Sequence, residues 1–112
     1  MDNPKEQLDT INKNLARFSK EWGKQSSAFF NLSKSIKAEG ALSTKTKELI
    51  AVSLAVILKC EWCINSHVKA ALDNGATKEE IMEAAWVSVL MGGGPALMYM
   101  QYVQNALDNL SK

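Results

Sequence analysis

The chain has 112 residues, 46% hydrophobic and 22% charged, which fits one compact domain, 1–112, and excludes a disordered or fibrous chain. Thirteen basic against twelve acidic side chains leave a net charge of +1, without the basic excess of a dedicated nucleic-acid binder. Residues 1–47 carry nine basic and five acidic side chains, and residues 48–112 carry four and seven, a mild gradient that reads as a solvated face.

Almost every segment reads as helix. Asn3 before Pro4 supplies an N-cap and a first-turn proline. Leu8, Ile11, Leu15, Phe18 and Trp22 then recur at steps of three and four, an apolar stripe on a helix ending near Gly23. A second stripe, Phe29, Leu32 and Ile36, runs to a stop at Gly40, so two N-terminal helices are expected within residues 4–39. Ser43 and Thr44 open a third helix over about residues 44–59. Its run from Leu49 to Leu58 is apolar on nearly all sides and is expected at the buried centre. That run is about ten residues long, half of the roughly 20 a membrane-spanning helix needs. The polar start, Met1 to Glu6, is unlike a signal peptide, and the expectation is a cytoplasmic protein with no membrane partner.

A fourth helix is expected from Cys60 or Glu61 to the terminating Gly75. Thr77 and Glu80 form a capping box for a fifth, with Ala76 and Ile81 at the hydrophobic-staple positions. Gly92-Gly93-Gly94 then breaks the chain and Pro95 restarts a sixth. The triple glycine lacks the preceding strand and the Lys-Ser/Thr of a phosphate-binding loop, so it reads as a helix break or a close backbone contact. The predicted fold class is all-α: about six helices in a compact bundle. One helix apolar all round and a long N-terminal stripe are much for so small a chain to bury. Subunits are therefore expected to complete each other's cores in a homo-oligomer, unless the N-terminal stripe folds back on its own chain.

The two cysteines form one Cys60-x-x-Cys63, which in a reducing compartment points to redox or metal chemistry more than to a structural staple. Cys60, Cys63 and His67, the one histidine, fall at i, i+3 and i+7 and share a helix face. His67 stands one turn from Cys63 and about 10 Å along the axis from Cys60, so the spacing pairs it with Cys63 first. A free thiol with a pKa near 8.5 is mostly protonated at neutral pH, and a neighbouring imidazole favours the reactive thiolate. The positive end of the helix favours thiolate at Cys60 instead, and the spacing leaves open which effect is larger. A sulfenic acid formed on one sulfur condenses with the other to a disulfide, which an outside thiol then reduces. Cys60, Cys63 and His67 also supply three zinc ligands, with an acid such as Glu48 as a fourth, but the second Cys/His pair of common structural zinc sites is absent.

Glu48, eleven residues, Cys60-x-x-Cys63, three residues, His67 resembles the pattern of the alkylhydroperoxidase D-like proteins of the carboxymuconolactone decarboxylase family. The likeness continues through Lys69-Ala70-Ala71-Leu72, Gly75-Ala76-Thr77, Glu80-Ile81 and Met91-Gly92-Gly93-Gly94-Pro95, and covers about residues 40–100. It implies an all-helical fold assembled as trimers or hexamers, and a thiol-dependent peroxidase. In that pattern Cys63 would be the peroxidatic cysteine and Cys60 the resolving one, with Glu48 and His67 as a proton relay that includes a water. No cofactor and no metal are implied. The substrate would be a hydroperoxide, or a disulfide in a reductase variant, and an external dithiol, lipoyl-type or thioredoxin-like, would restore the pair. Members that decarboxylate the muconolactone are not expected to keep the cysteines. The well-studied peroxidases carry a histidine between the cysteines where this chain has Trp62, a difference that would favour disulfide exchange.

Two geometric expectations follow. With a turn near residue 59, Glu48 lies about 16 Å back and His67 about 12 Å forward, so their contact calls for a crossed packing or a bridging water. The substrate pocket is expected near the start of the fourth helix, lined by Trp62, Ile64 and residues after the glycine break.

Overall fold

The structure, a computed structural model, describes residues 2–111. Those residues form α1 (Pro4–Glu21), α2 (Gly23–Lys37), α3 (Thr44–Ile57), α4 (Glu61–Asp73) and α5 (Lys78–Leu110), and none of them lies in a strand. The expected starts hold in atomic detail. Asn3 Oδ1 accepts from the N–H groups of Lys5 and Glu6, and Ser43 Oγ accepts from Thr46 N. Thr77 and Glu80 exchange both bonds of a capping box.

The expected sixth helix is the second limb of α5. Gly93, at φ 63° and ψ −144°, is the one non-helical residue inside that element, and helical structure continues on both sides of it. The expected break is therefore present as a kink between two helical limbs that together make one element, and the described residues form five helices. The flanking glycine serves the close contact that the sequence also allowed. A Cβ on Gly92 would stand 2.8 Å from Ile57 Cδ1 and 2.9 Å from Ala96 Cβ, so its bare backbone lets α5 approach the end of α3.

The core lies between α3, α4 and α5. Val52, Val56, Ile64, Val68, Ile81 and Val103 are fully or almost fully buried there. By length and composition alone α5 could cross a membrane, yet it supplies eight buried residues to this bundle and bends in its middle.

Two burial expectations are corrected. The Leu49–Leu58 run is not buried all round: Val52, Ala55 and Val56 face α4 and α5, while Ile50, Leu54, Ile57 and Leu58 are exposed. Among the described residues that outer face is left largely open, although Gly92 of α5 lies close to Ile57. In α1 the buried side chains are Pro4 and Gln7, whereas Leu8, Ile11 and Leu15 are half-buried and Phe18 and Trp22 exposed. Only the first turns of α1 dock on the bundle. α2 has no buried residue at all, and Phe29, Leu32 and Ile36 stand mostly in the open.

Candidate active site

The turn between α3 and α4 determines where the cysteines sit. Cys60 N donates to Ala55 O and Lys59 N to Val56 O, the paired bonds of a Schellman stop. The motif needs a left-handed residue, and Lys59 takes it at φ 56°, a conformation that costs a side-chain-bearing residue about 1–2 kcal/mol. The chain thus reverses within three residues and delivers Cys60 to the N-cap of α4, where its Sγ accepts from Cys63 N at 3.3 Å. Cys60 and Cys63 are joined as a disulfide with their Cα atoms 5.2 Å apart. Both are half-buried, and the side chains of Leu58 and Trp62 beside them are exposed.

The start of α4 is anchored from behind by a polar cluster. Gln7 of α1, buried, donates to Glu61 and accepts from the amide of Asn65, which is also buried. The negative charge of Glu61 also holds the Tyr102 phenol above its ordinary value, with desolvation adding to the effect. These bonds tie α1 to α4 next to the disulfide.

Glu48 and His67 meet directly. Glu48 Oε1 lies 2.7 Å from His67 Nδ1, closer than a bridging water allows, so no water is needed between them. Because a carboxylate only accepts, Nδ1 is the donor, and Nε2 is left as the ring atom able to accept a proton. Glu48 is 2% exposed, and its other oxygen, Oε2, lies 3.3 Å from Lys37 Nζ at the end of α2. A buried carboxylate needs such partners, since an unpaired charge away from water is costly.

A cavity of about 220 Å³ opens over this pair. Its floor is Glu48, His67 and Ala51, and its wall is Phe29, Leu32 and Ile36 of α2. The expected lining is corrected by this arrangement. Ile64 is a fully buried core residue, and neither Trp62 nor any residue after the glycine bend lines the cavity. The wall comes from α2, a segment in which the sequence offered no motif.

The structure therefore brings together Cys60 with Cys63, and Glu48 with His67. It does not join the two pairs directly: among the described residues no hydrogen bond links His67 to either sulfur, although Cys63 and His67 lie one turn apart on α4. Nor do three or more His, Cys, Asp or Glu side chains among the described residues converge as metal donors. Lys37 is the group that sequence reasoning missed. Its signal was a cation directly after the Phe29/Leu32/Ile36 stripe, one of two, with Lys34, in the last turn of that helix.

Known proteins share this architecture. The chain is 38% identical to a carboxymuconolactone decarboxylase family protein of Legionella pneumophila, whose apo crystal structure superposes with a TM-score of 0.94 over 100% of both chains. A Thermotoga maritima protein of the same family, described in connection with an antioxidative response, gives a TM-score of 0.72 at 27% identity, covering 87% of this chain and 89% of its own. Among curated sequences, an uncharacterised protein of Cupriavidus necator is 37% identical over 107 residues, 96% of this chain and 95% of its own length. Another, from the cox locus of Paracoccus denitrificans, is 47% identical over 83 residues, 74% of this chain and 75% of its own. The model of the carboxymuconolactone decarboxylase family matches residues 26–101, and the chain belongs to that family.

Proposed function

We propose that the protein is a thiol-dependent peroxidase that reduces hydroperoxides through the Cys60/Cys63 dithiol. The observation that carries this reading is a cysteine pair at the first turn of α4, on the same helix as a histidine whose ring is fixed by buried Glu48. Family membership and the antioxidative description of the Thermotoga protein support it.

In the reduced protein His67 Nε2 accepts the Cys63 thiol proton, directly or through a water. The thiolate attacks the terminal oxygen of ROOH. A sulfur–oxygen bond forms, the oxygen–oxygen bond breaks, and the alcohol leaves with the proton returned by the relay. Cys60 then displaces hydroxide from the Cys63 sulfenic acid, releasing water and closing the disulfide. An external dithiol, lipoyl-type or thioredoxin-like, reduces the disulfide by exchange and is itself oxidised. The cycle needs no cofactor and suits a reducing, cytoplasmic setting.

Cys63→Ser abolishes hydroperoxide reduction, and Cys60→Ser leaves a sulfenic acid that dimedone traps. If both serine variants turn over hydroperoxide as fast as the parent protein, the reading falls.

A disulfide reductase using the same pair is favoured by one feature. Cys60 Sγ already accepts the Cys63 N–H at the positive end of α4, an arrangement that favours thiolate at Cys60 once the pair is reduced. Trp62, exposed and falling between the two cysteines in sequence, offers a flat apolar contact to a macromolecular disulfide. A mixed disulfide accumulating on Cys60 in Cys63→Ser would favour this reading over the first.

The proposal includes assembly as a homo-oligomer, a trimer or hexamer. Its support is the apolar surface the chain leaves bare, including Trp22 and Phe29 on one side and Trp86, Leu90 and Met91 on another. A stable monomer in sedimentation at micromolar concentration would remove it.

A further inference from the structure

A third group, Lys37, touches Glu48 of the Glu48/His67 relay. Lys37 Nζ lies 3.3 Å from Glu48 Oε2, while Oε1 faces His67 Nδ1 at 2.7 Å. Each carboxylate oxygen thus has its own partner. A carboxylate held at one oxygen can pivot about its terminal torsion, whereas one held at both has its plane fixed, and with it the direction in which the imidazole must point.

The chain around Lys37 is clamped to a degree that the rest of α2 is not. Its carbonyl accepts from Thr44 Oγ1 at 2.6 Å. Lys47 Nζ donates to the flanking carbonyls of Ile36 at 2.7 Å and Ala38 at 2.6 Å. Thr44 N donates to Glu39 Oε1 at 3.1 Å. No residue of α2 is buried, so these bonds at its last turn, with the Lys37–Glu48 pair, hold its end over the cavity. What the clamp fixes is the backbone from which Lys37, its side chain 43% exposed, reaches the buried carboxylate.

We propose that Lys37 is a positioning residue of the relay: from the clamped end of α2 it pins Glu48 Oε2, so that Oε1 locks His67 with Nδ1 as donor and Nε2 free. The role in turnover rests on the peroxidase reading, but the effect on the ring does not.

The test compares Lys37→Met, Lys37→Arg and, as a control, Lys34→Met at an exposed lysine of the same last turn. Long-range nitrogen–proton NMR of the His67 ring reads the tautomer without any substrate. The parent, Lys37→Arg and Lys34→Met should show one tautomer, protonated at Nδ1, and Lys37→Met a mixture of the two. Stopped-flow oxidation of the reduced pair by cumene hydroperoxide should slow about tenfold in Lys37→Met, less than the roughly 100-fold or more that a general base itself supplies. The loss should fall on kcat with KM unchanged, and Lys37→Arg should restore most of it.

Ring signals in Lys37→Met identical to the parent's overturn the proposal, whatever the rates. Altered ring signals with a parental rate overturn its role in turnover. If instead Cys63→Ser reacts as fast as the parent, the peroxidase reading fails, and the ring signals alone still decide what Lys37 does.

Discussion

Ile64, Val68 and Ala71 on α4 and Phe29, Leu32 and Ile36 on α2 are spaced alike, three or four residues apart, and as sequence they read alike. The first set is fully buried among α3 and α5, while the second stands mostly exposed and forms the wall of the cavity over Glu48 and His67. The difference lies in what surrounds each helix. α4 is enclosed by two neighbours and by the polar anchor of Gln7, whereas α2 is fastened at its C-terminal corner and has no buried residue. An apolar stripe therefore marks a surface that something covers. It does not say whether the cover is the same chain, a substrate or another subunit.

Truncating one residue in each stripe separates the two helices most clearly. Ile64→Ala should cost about 2–5 kcal/mol in urea unfolding, since it empties a fully buried site, and Leu32→Ala should stay within about 0.5 kcal/mol for the isolated chain. A comparable cost at Leu32 would mean that α2 is covered in solution. Gly93→Ala comes next. The bend holds this residue at φ 63° and ψ −144°, a region that a Cβ makes costly, and the loss should be about 1–3 kcal/mol by the same measurement. Lys47→Met should do less to global stability but more to the arm. It removes two bonds to the end of α2, each worth about 0.5–1.5 kcal/mol. Faster hydrogen exchange should be confined to residues 23–37, with the α4 amides unchanged.

The same contrast explains what could be read from the sequence. Helix starts were legible because each rests on one or two side chains acting within a turn: Asn3, Ser43, and Thr77 with Glu80. The shared face of Cys60, Cys63 and His67 follows from helical repeat alone. The direct Glu48–His67 contact was not legible, because it depends on how two helices and two flexible side chains meet across the Lys59 turn. Lys37 and the cavity wall were out of reach for a related reason. They are brought in by bonds between residues seven to eleven apart, such as Lys47 to Ile36, that no local pattern encodes. The interruption at Gly93 was legible from the triple glycine, but the close approach of Ile57 to Gly92 was not, because it joins residues of two different helices.

The smallest expected effect concerns how the two regions begin their helices. α2 starts at Trp22 with no side-chain cap, while α5 starts with a reciprocal capping box whose carboxylate also pairs with Lys45 of α3 at 3.0 Å. The bond from the Thr77 backbone N–H, followed by Lys45, holds the Glu80 carboxyl below its ordinary value. A carboxyl lowered in the folded state adds stability above its unfolded value, and that stability is lost as the pH falls through the folded value. Glu80→Gln keeps a cap of similar shape and loses only the charge. Its Tm should therefore sit slightly below the parent's at neutral pH, and the two should converge in acid below the ordinary carboxylate range. The convergence has no counterpart at α2, which has no carboxylate in its first turn to protonate. If the gap between parent and Glu80→Gln persists unchanged into acid, the box is held by shape and hydrogen bonding rather than charge, and the core helix is no better anchored electrostatically at its start than the exposed one.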